Sequence, residues 1–140
     1  MFQIVANNAL YNLPVDFNGI QLHKAIKQIV DVSSKSGVWP MWILGNEETS
    51  RVKNKFGRSS MGLQIVQLLL PGIKCIYYGE EIQMTNHPFL SYNDTKDDVA
   101  REAGPKNFTW VSRDPYRTPM AWNMSKNAGQ LMRGSNKKYC

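Results

Sequence analysis

Trp42-Ile43-Leu44-Gly45-Asn46-Glu47-Glu48-Thr49-Ser50-Arg51 decides how this chain is read. The apolar run Met41–Leu44 stops at a glycine, and polar and charged residues follow at once. A buried parallel strand reads this way when it delivers side chains to the carboxyl edge of a sheet, where α/β enzymes build their sites. Ile73-Lys74-Cys75-Ile76-Tyr77-Tyr78-Gly79-Glu80-Glu81 repeats the grammar: apolar strand, glycine, acids. Between the two, Ser59–Leu70 predicts a helix rich in apolar residues, closed by Pro71-Gly72, which cannot continue it. Strand, helix and strand of these lengths make a parallel βαβ unit.

Working outward, Gln21–Ser34 carries apolar residues at Leu22, Ala25, Ile26, Ile29 and Val30, the stripe of an amphipathic helix. Ser36-Gly37 ends it and Trp39-Pro40 leads into the strand. Leu10–Phe17 alternates imperfectly around Pro14 and reads as a short strand or irregular edge, whereas residues 1–9 carry no clear signal. Past Met84 the texture changes. Thr85–Pro119 holds four prolines and no sustained period, so it predicts a long loop with one short helix near Asp97–Glu102. Loops of that length are usually functional or disordered.

The formal charge of +6 raises the question of a nucleic-acid partner. Apart from Arg51–Arg58 and Lys137-Lys138 the cations are scattered, without the interleaved aromatics of a binding face, so no nucleic-acid partner is expected. The two cysteines form no disulfide framework, and Cys75, inside an apolar strand, reads as a buried small hydrophobe. His23 has no acid or second histidine at ligand spacing, and the methionines read as core filler, so no metal site is expected. Three N-x-S/T acceptors, at Asn93, Asn107 and Asn123, fit a secreted glycoprotein.

Four stretches, in order, resemble the α-glucosidase (maltase) branch of the α-amylase superfamily, glycoside hydrolase family 13, and insect maltases most closely. They are Gly45–Arg51; Leu70-Pro71-Gly72 with Tyr77–Ile82; Ser112-Arg113-Asp114-Pro115-Tyr116-Arg117-Thr118-Pro119-Met120; and Ala121-Trp122-Asn123 with Ser125–Gly129. The resemblance implies an α/β fold: the carboxyl-terminal part, about three strand–helix units, of a (β/α)₈ TIM barrel with a long loop after the last strand. A whole barrel needs about 250 residues, against 140 here. On this reading residues 1–84 are the last barrel units, 85–130 the rim loop and following segment, and 131–140 a divergent tail.

The same resemblance assigns chemistry. Retaining glycosidases use two carboxyls about 5–5.5 Å apart, nucleophile and acid/base. α-Amylase relatives add a third, the aspartate of an Asn-His-Asp motif, which grips sugar hydroxyls. Glu48 stands in that aspartate's place and Glu47 in the histidine's, a departure from the family pattern. The implied site is therefore Glu48 as the catalytic carboxylate, with Asn46, Glu47, Arg51, Arg113 and Arg117 binding substrate. Read without the family, Glu47 and Glu48 are two solvated loop acids, and the arginines are partners for Asp114, Glu80 or Glu81. The nucleophile and acid/base would lie before residue 1, so the chain alone is expected to be inactive.

The implied parent hydrolyses α-1,4-glucosidic bonds of maltose-like oligosaccharides without a cofactor, outside the cell or at a membrane. Two other readings remain open. One is a catalytically silent α-amylase-like binding protein, such as a relative of amino-acid transporter heavy subunits, for which a degraded Asn-His-Asp motif is expected. The other is an unrelated small α/β domain.

Overall fold

A computed structural model describes residues 3–88 and 91–123. Three strands, β1 (Ile4–Asn7), β2 (Trp39–Ile43) and β3 (Ile73–Cys75), form one parallel sheet in the order β1-β2-β3. Ile4 aligns with Trp39 and Asn7 with Trp42, while Met41 aligns with Ile73 and Ile43 with Cys75. Helix α1 (Gly19–Ser36) crosses over from β1 to β2, and α2 (Val52–Phe56) with α3 (Ser59–Leu69) from β2 to β3. Consecutive parallel strands joined by helical crossovers are the repeating unit of an α/β barrel wall.

The first strand lies where the sequence carried no clear signal. Leu10–Phe17, expected as a strand or edge, instead turns repeatedly and drives Leu10 and Leu13 into the core at 0% and 5% exposure. Pro14 has no N–H to give a ladder, and neighbouring Asn and Asp side chains favour turns, so the segment plugs the sheet and does not extend it. Cys75 is also corrected: it is exposed, because three-residue β3 borders the sheet and turns that side chain outward.

The core joins Leu10, Leu13, Trp42, Leu44, Val52, Phe56 and Leu63, with the α1 stripe (Leu22, Ala25, Ile26, Ile29, Val30) packed against it. Trp42 is fully buried, and its indole N–H donates to the Pro71 carbonyl at 2.7 Å. Gln67 of α3 donates its amide to the carbonyls of Trp42 (2.9 Å) and Cys75 (3.0 Å). One buried polar side chain thus satisfies acceptors on both β2 and β3, which fixes the sheet edge over the helix. Helix α2 was not anticipated. Its cations Lys53 and Lys55 mask a short stretch whose Val52 and Phe56 point inward.

Helix α1 starts at a capping box. The Asn18 side chain accepts from the Gln21 N–H at 3.0 Å, and the Gln21 side chain accepts from the Asn18 N–H at 2.9 Å. The helix ends at Gly37 in the left-handed region (φ 67°), where a side chain would be strained. Asn18→Ala removes one satisfied donor of the first turn and is expected to lower stability by about 1 kcal/mol. Urea unfolding with an unchanged midpoint would show that the box contributes nothing.

The long segment after β3 is more ordered than its composition suggests. It contains single 3-10 turns at Tyr92–Asp94 and Asp114–Tyr116 and two short helices, α4 (Asp98–Ala103) and α5 (Phe108–Val111). The α4 bounds agree closely with the helix expected near Asp97–Glu102. The tail 131–140 and the motif residues beyond Asn123 lie outside the described residues. Among the described residues no helix is long and apolar enough to cross a membrane.

Candidate functional site

The site begins where β2 runs out. Buried Leu44 ends the apolar run, and Gly45 follows where a Cβ would lie 1.9 Å from Oε1 of Glu80, so that any larger residue forces that side chain to move. The chain then bends through Asn46. Its side-chain oxygen accepts from the Glu48 N–H (2.9 Å) and the Thr49 hydroxyl (3.0 Å), a local Asx turn that throws Glu47 and Glu48 outward. Asn46 is therefore spent on folding its own loop.

Glu48 meets two guanidiniums. Arg113 Nη1 donates to its Oε2 at 2.8 Å, and Arg117 Nη2 donates to its Oε1. Arg117 Nε also donates to the Glu47 carbonyl at 2.7 Å, and the Tyr116 hydroxyl to the Glu48 carbonyl at 3.2 Å. The Glu48 side chain nevertheless stays about half exposed, at 54%. The Arg113 hydrogen bond holds its carboxyl below the usual glutamate range.

Behind Arg113 stands Asp97, whose side chain is wholly buried. Its Oδ2 accepts from the Arg113 N–H (2.7 Å) and Nε (2.9 Å), and its Oδ1 from Arg113 Nη2 (2.7 Å) and the Val99 N–H (3.2 Å). The two-pronged Arg113 contact holds the Asp97 carboxyl far below the usual aspartate range and raises the Arg113 guanidinium correspondingly. Asp114, one of the expected arginine partners, instead accepts from the backbone N–H of Lys96 at 2.9 Å.

Arg51 does not reach this rim. It is 1% exposed, lies over the rings of Tyr77 (4.8 Å) and Tyr78 (4.7 Å), and donates Nη1 to the Tyr78 carbonyl. Its role is an internal post: it pins the segment after β3 beneath the Gly45 loop. The Tyr77 and Tyr78 hydroxyls extend the tie by donating to the carbonyls of Tyr116 and Thr118. Burial pushes the Tyr77 hydroxyl up to about 12. Glu80, also expected to pair with an arginine, is 2% exposed, and among the described residues neither of its carboxyl oxygens meets a partner at hydrogen-bond geometry. Burial pushes its carboxyl up to about 7 against the opposing pulls of the Tyr77 backbone and of Arg51.

The structure thus brings Asn46, Glu47, Glu48, Arg113 and Arg117 together and buries Arg51 below them. Sequence reading missed Asp97 and Tyr116 as members of the cluster. Asp97 was legible only as the residue preceding a short helix, which is where it sits, capping α4 through the Val99 N–H. Among the described residues no group of three or more His, Cys, Asp or Glu side chains could hold a metal ion.

Parallel strands joined by helices are the architecture of an α/β-barrel wall, and the charged cluster stands at the carboxyl end of its central strand. Residues 3–138 match the alpha-amylase catalytic domain, and the chain belongs to that family. It is 45% identical over 89 residues to Maltase 1 of Drosophila virilis, covering 63% of this chain and 14% of that protein. It is 43% identical over 95 residues to a salivary alpha-glucosidase of Anopheles gambiae, covering 67% of this chain and 16% of that one. An amino acid transporter heavy chain of Mus musculus matches at 33% over 94 residues, 66% of this chain and 12% of that one. The crystal structure of trehalose-6-phosphate hydrolase from Bacillus licheniformis superposes with a TM-score of 0.69 at 26% identity, covering 90% of this chain and 28% of that one. The three strands are therefore an arc of a (β/α)₈ barrel, and the chain spans less than a third of each relative named here.

Proposed function

We propose that this chain forms part of the sugar-handling rim of a maltase-like α-glucosidase, a barrel that hydrolyses α-1,4-glucosidic bonds of maltose-like oligosaccharides. One observation carries the reading: a half-exposed carboxylate, Glu48, stands at the carboxyl edge of a barrel strand between two arginines. Arg113 and Arg117 keep that carboxylate ionised, and an ionised carboxylate accepts hydrogen bonds from sugar hydroxyls. Asn46 shapes the loop, Glu47 and Glu48 face outward, and Arg117 ties the loop to the rim segment. Catalysis with retention needs two further carboxyls placed about 5–5.5 Å apart. On this reading they come from other barrel strands, and this chain supplies the third acid. The names of the salivary relative and of the transporter heavy chain support an extracellular or membrane-associated parent.

The test is turnover of an aryl α-glucoside. The 140-residue chain alone is expected to release no glucose above background. The same chain joined to the upstream barrel strands of an insect maltase is expected to bind maltose and release glucose slowly, with the anomeric configuration retained. If that completed barrel binds no α-glucoside, the reading fails. The second reading, a silent binding protein, is favoured by Glu47 and Glu48 standing where the family has histidine and aspartate. Sugar binding with no turnover, even after those two residues are restored, would decide for it.

A further inference from the structure

Arg113 spends three of its N–H groups, the backbone N–H, Nε–H and one on Nη2, on the Asp97 carboxylate and turns the remaining Nη1 toward Glu48. That division of labour has a direction. The Asp97 side chain is wholly buried and is itself fixed by the Val99 N–H at the start of α4, whereas Glu48 is half exposed on a loop. A buried carboxylate with four donors is the rigid member of such a network, and a solvent-facing one is the adaptable member. We propose that Asp97 is a positioning residue: it orients the Arg113 guanidinium, and Arg113 in turn sets where the Glu48 carboxylate stands on the rim.

The inference rests on Glu48 belonging to the functional rim, but its test involves no sugar, so the two can fail separately. The segment that carries Asp97 follows β3, whereas Glu48 follows β2. Asp97 therefore couples two rim segments that share no backbone hydrogen-bond ladder. A neutral asparagine at 97 keeps the shape but loses the fork, because its amide end presents N–H groups to the guanidinium.

The readout is the titration of the Glu48 carboxyl, followed by carbon-13 NMR in the full chain and in Asp97→Asn. Two effects oppose each other in sign. The negative charge of Asp97 acting alone raises the Glu48 pKa, so deleting that charge would lower it further. The Arg113 hydrogen bond lowers the Glu48 pKa, so releasing Arg113 raises it. If Asp97 positions Arg113, Asp97→Asn shifts the Glu48 titration upward, toward an ordinary glutamate. No shift, or a shift downward, overturns the proposal.

A second arm keeps the question decidable if Asp97→Asn fails to fold. In Glu48→Gln, a change at a half-exposed position, phenylglyoxal labelling of arginines is read residue by residue by mass spectrometry at micromolar protein. Arg113, still held by Asp97, is expected to stay as protected as in the parent chain, while Arg117 gains reactivity. Equal gains at both arginines would mean that Glu48 holds Arg113, and the proposal falls.

Discussion

Glu47→His combined with Glu48→Asp, in a barrel completed by upstream strands bearing the nucleophile and the acid/base, is expected to raise kcat by at least about 10². Preorganised groups that act on the charge developing in the transition state are commonly worth about 10²–10³ in rate each. On the proposed reading the present arrangement withholds two of them. Glu48 is one methylene longer than the family's aspartate, an extra reach of about 1.5 Å, the length of one carbon–carbon bond. That reach carries its carboxylate into the fork of Arg113 and Arg117. A catalytic group must be held to within about 0.5 Å of its productive position, so on the proposed reading a carboxylate held by the arginines still accepts from sugar hydroxyls but stands off the position that speeds the reaction. Aspartate at 48 retracts from the fork, while Asp97 continues to hold Arg113 in place. Histidine at 47 exchanges an exposed anion for a neutral donor. The gain is expected in kcat with KM little changed, because these contacts tighten in the transition state. Near-normal turnover with both glutamates in place would show that Glu48 is competent as it stands. No gain in a well-folded protein would mean that Asn46–Arg51 is not the sugar-binding motif of the family.

What was legible in the sequence follows from which physical signals are local. The α1 stripe, the apolar β2 run and the Pro71-Gly72 stop each come from neighbours in the chain, and each lies close to where it was read. Strand β1 was illegible because its four residues, Ile4–Asn7, are too few to establish a period, and most of them are exposed. Cys75 misled because an apolar run looks the same in the middle of a sheet and at its border, where one side faces solvent.

In the candidate cluster, Glu47, Glu48, Arg113 and Arg117 were named from motif resemblance, but their partners were not. Asp97 lies 16 positions from Arg113 in a segment without periodicity, and nothing local distinguishes it from Asp94, Asp98 or Asp114. Arg51 shows the converse. Its position in the motif suggested substrate contact, whereas two tyrosine rings and a backbone carbonyl claim it from below. Which face of a loop an arginine takes is decided by aromatic neighbours about 27 residues away, and spacing does not encode it.

Glu80→Gln is expected to make the chain more stable near pH 8 and to change little near pH 4.5. Glu80 is 2% exposed, lies directly beneath Gly45, and among the described residues neither carboxyl oxygen meets a partner at hydrogen-bond geometry. Desolvation raises its folded-state pKa from 4.5 to about 7, so the folded chain keeps a proton that the unfolded chain releases. Its contribution to stability is therefore fully present below about pH 4.5 and declines as pH rises toward 7, the opposite of a carboxylate held by an arginine such as Asp97. At about 1.4 kcal/mol per pKa unit, the whole change amounts to about 3 kcal/mol. Glutamine has nearly the same shape and no charge to desolvate, so it should flatten that part of the profile. Urea unfolding of both proteins from pH 4.5 to 8 measures the difference directly, and titrations common to the two cancel. Parallel profiles would show that Glu80 does not titrate in this window. A variant less stable than the parent at pH 8 would show that ionised Glu80 pairs with buried Arg51, whose Nε and Nη2 have no hydrogen-bond partner among the described residues. Breaking a buried pair leaves an uncompensated charge at a cost of about 3–5 kcal/mol, so the sign of the change at pH 8 separates a lone buried acid from half of an ion pair.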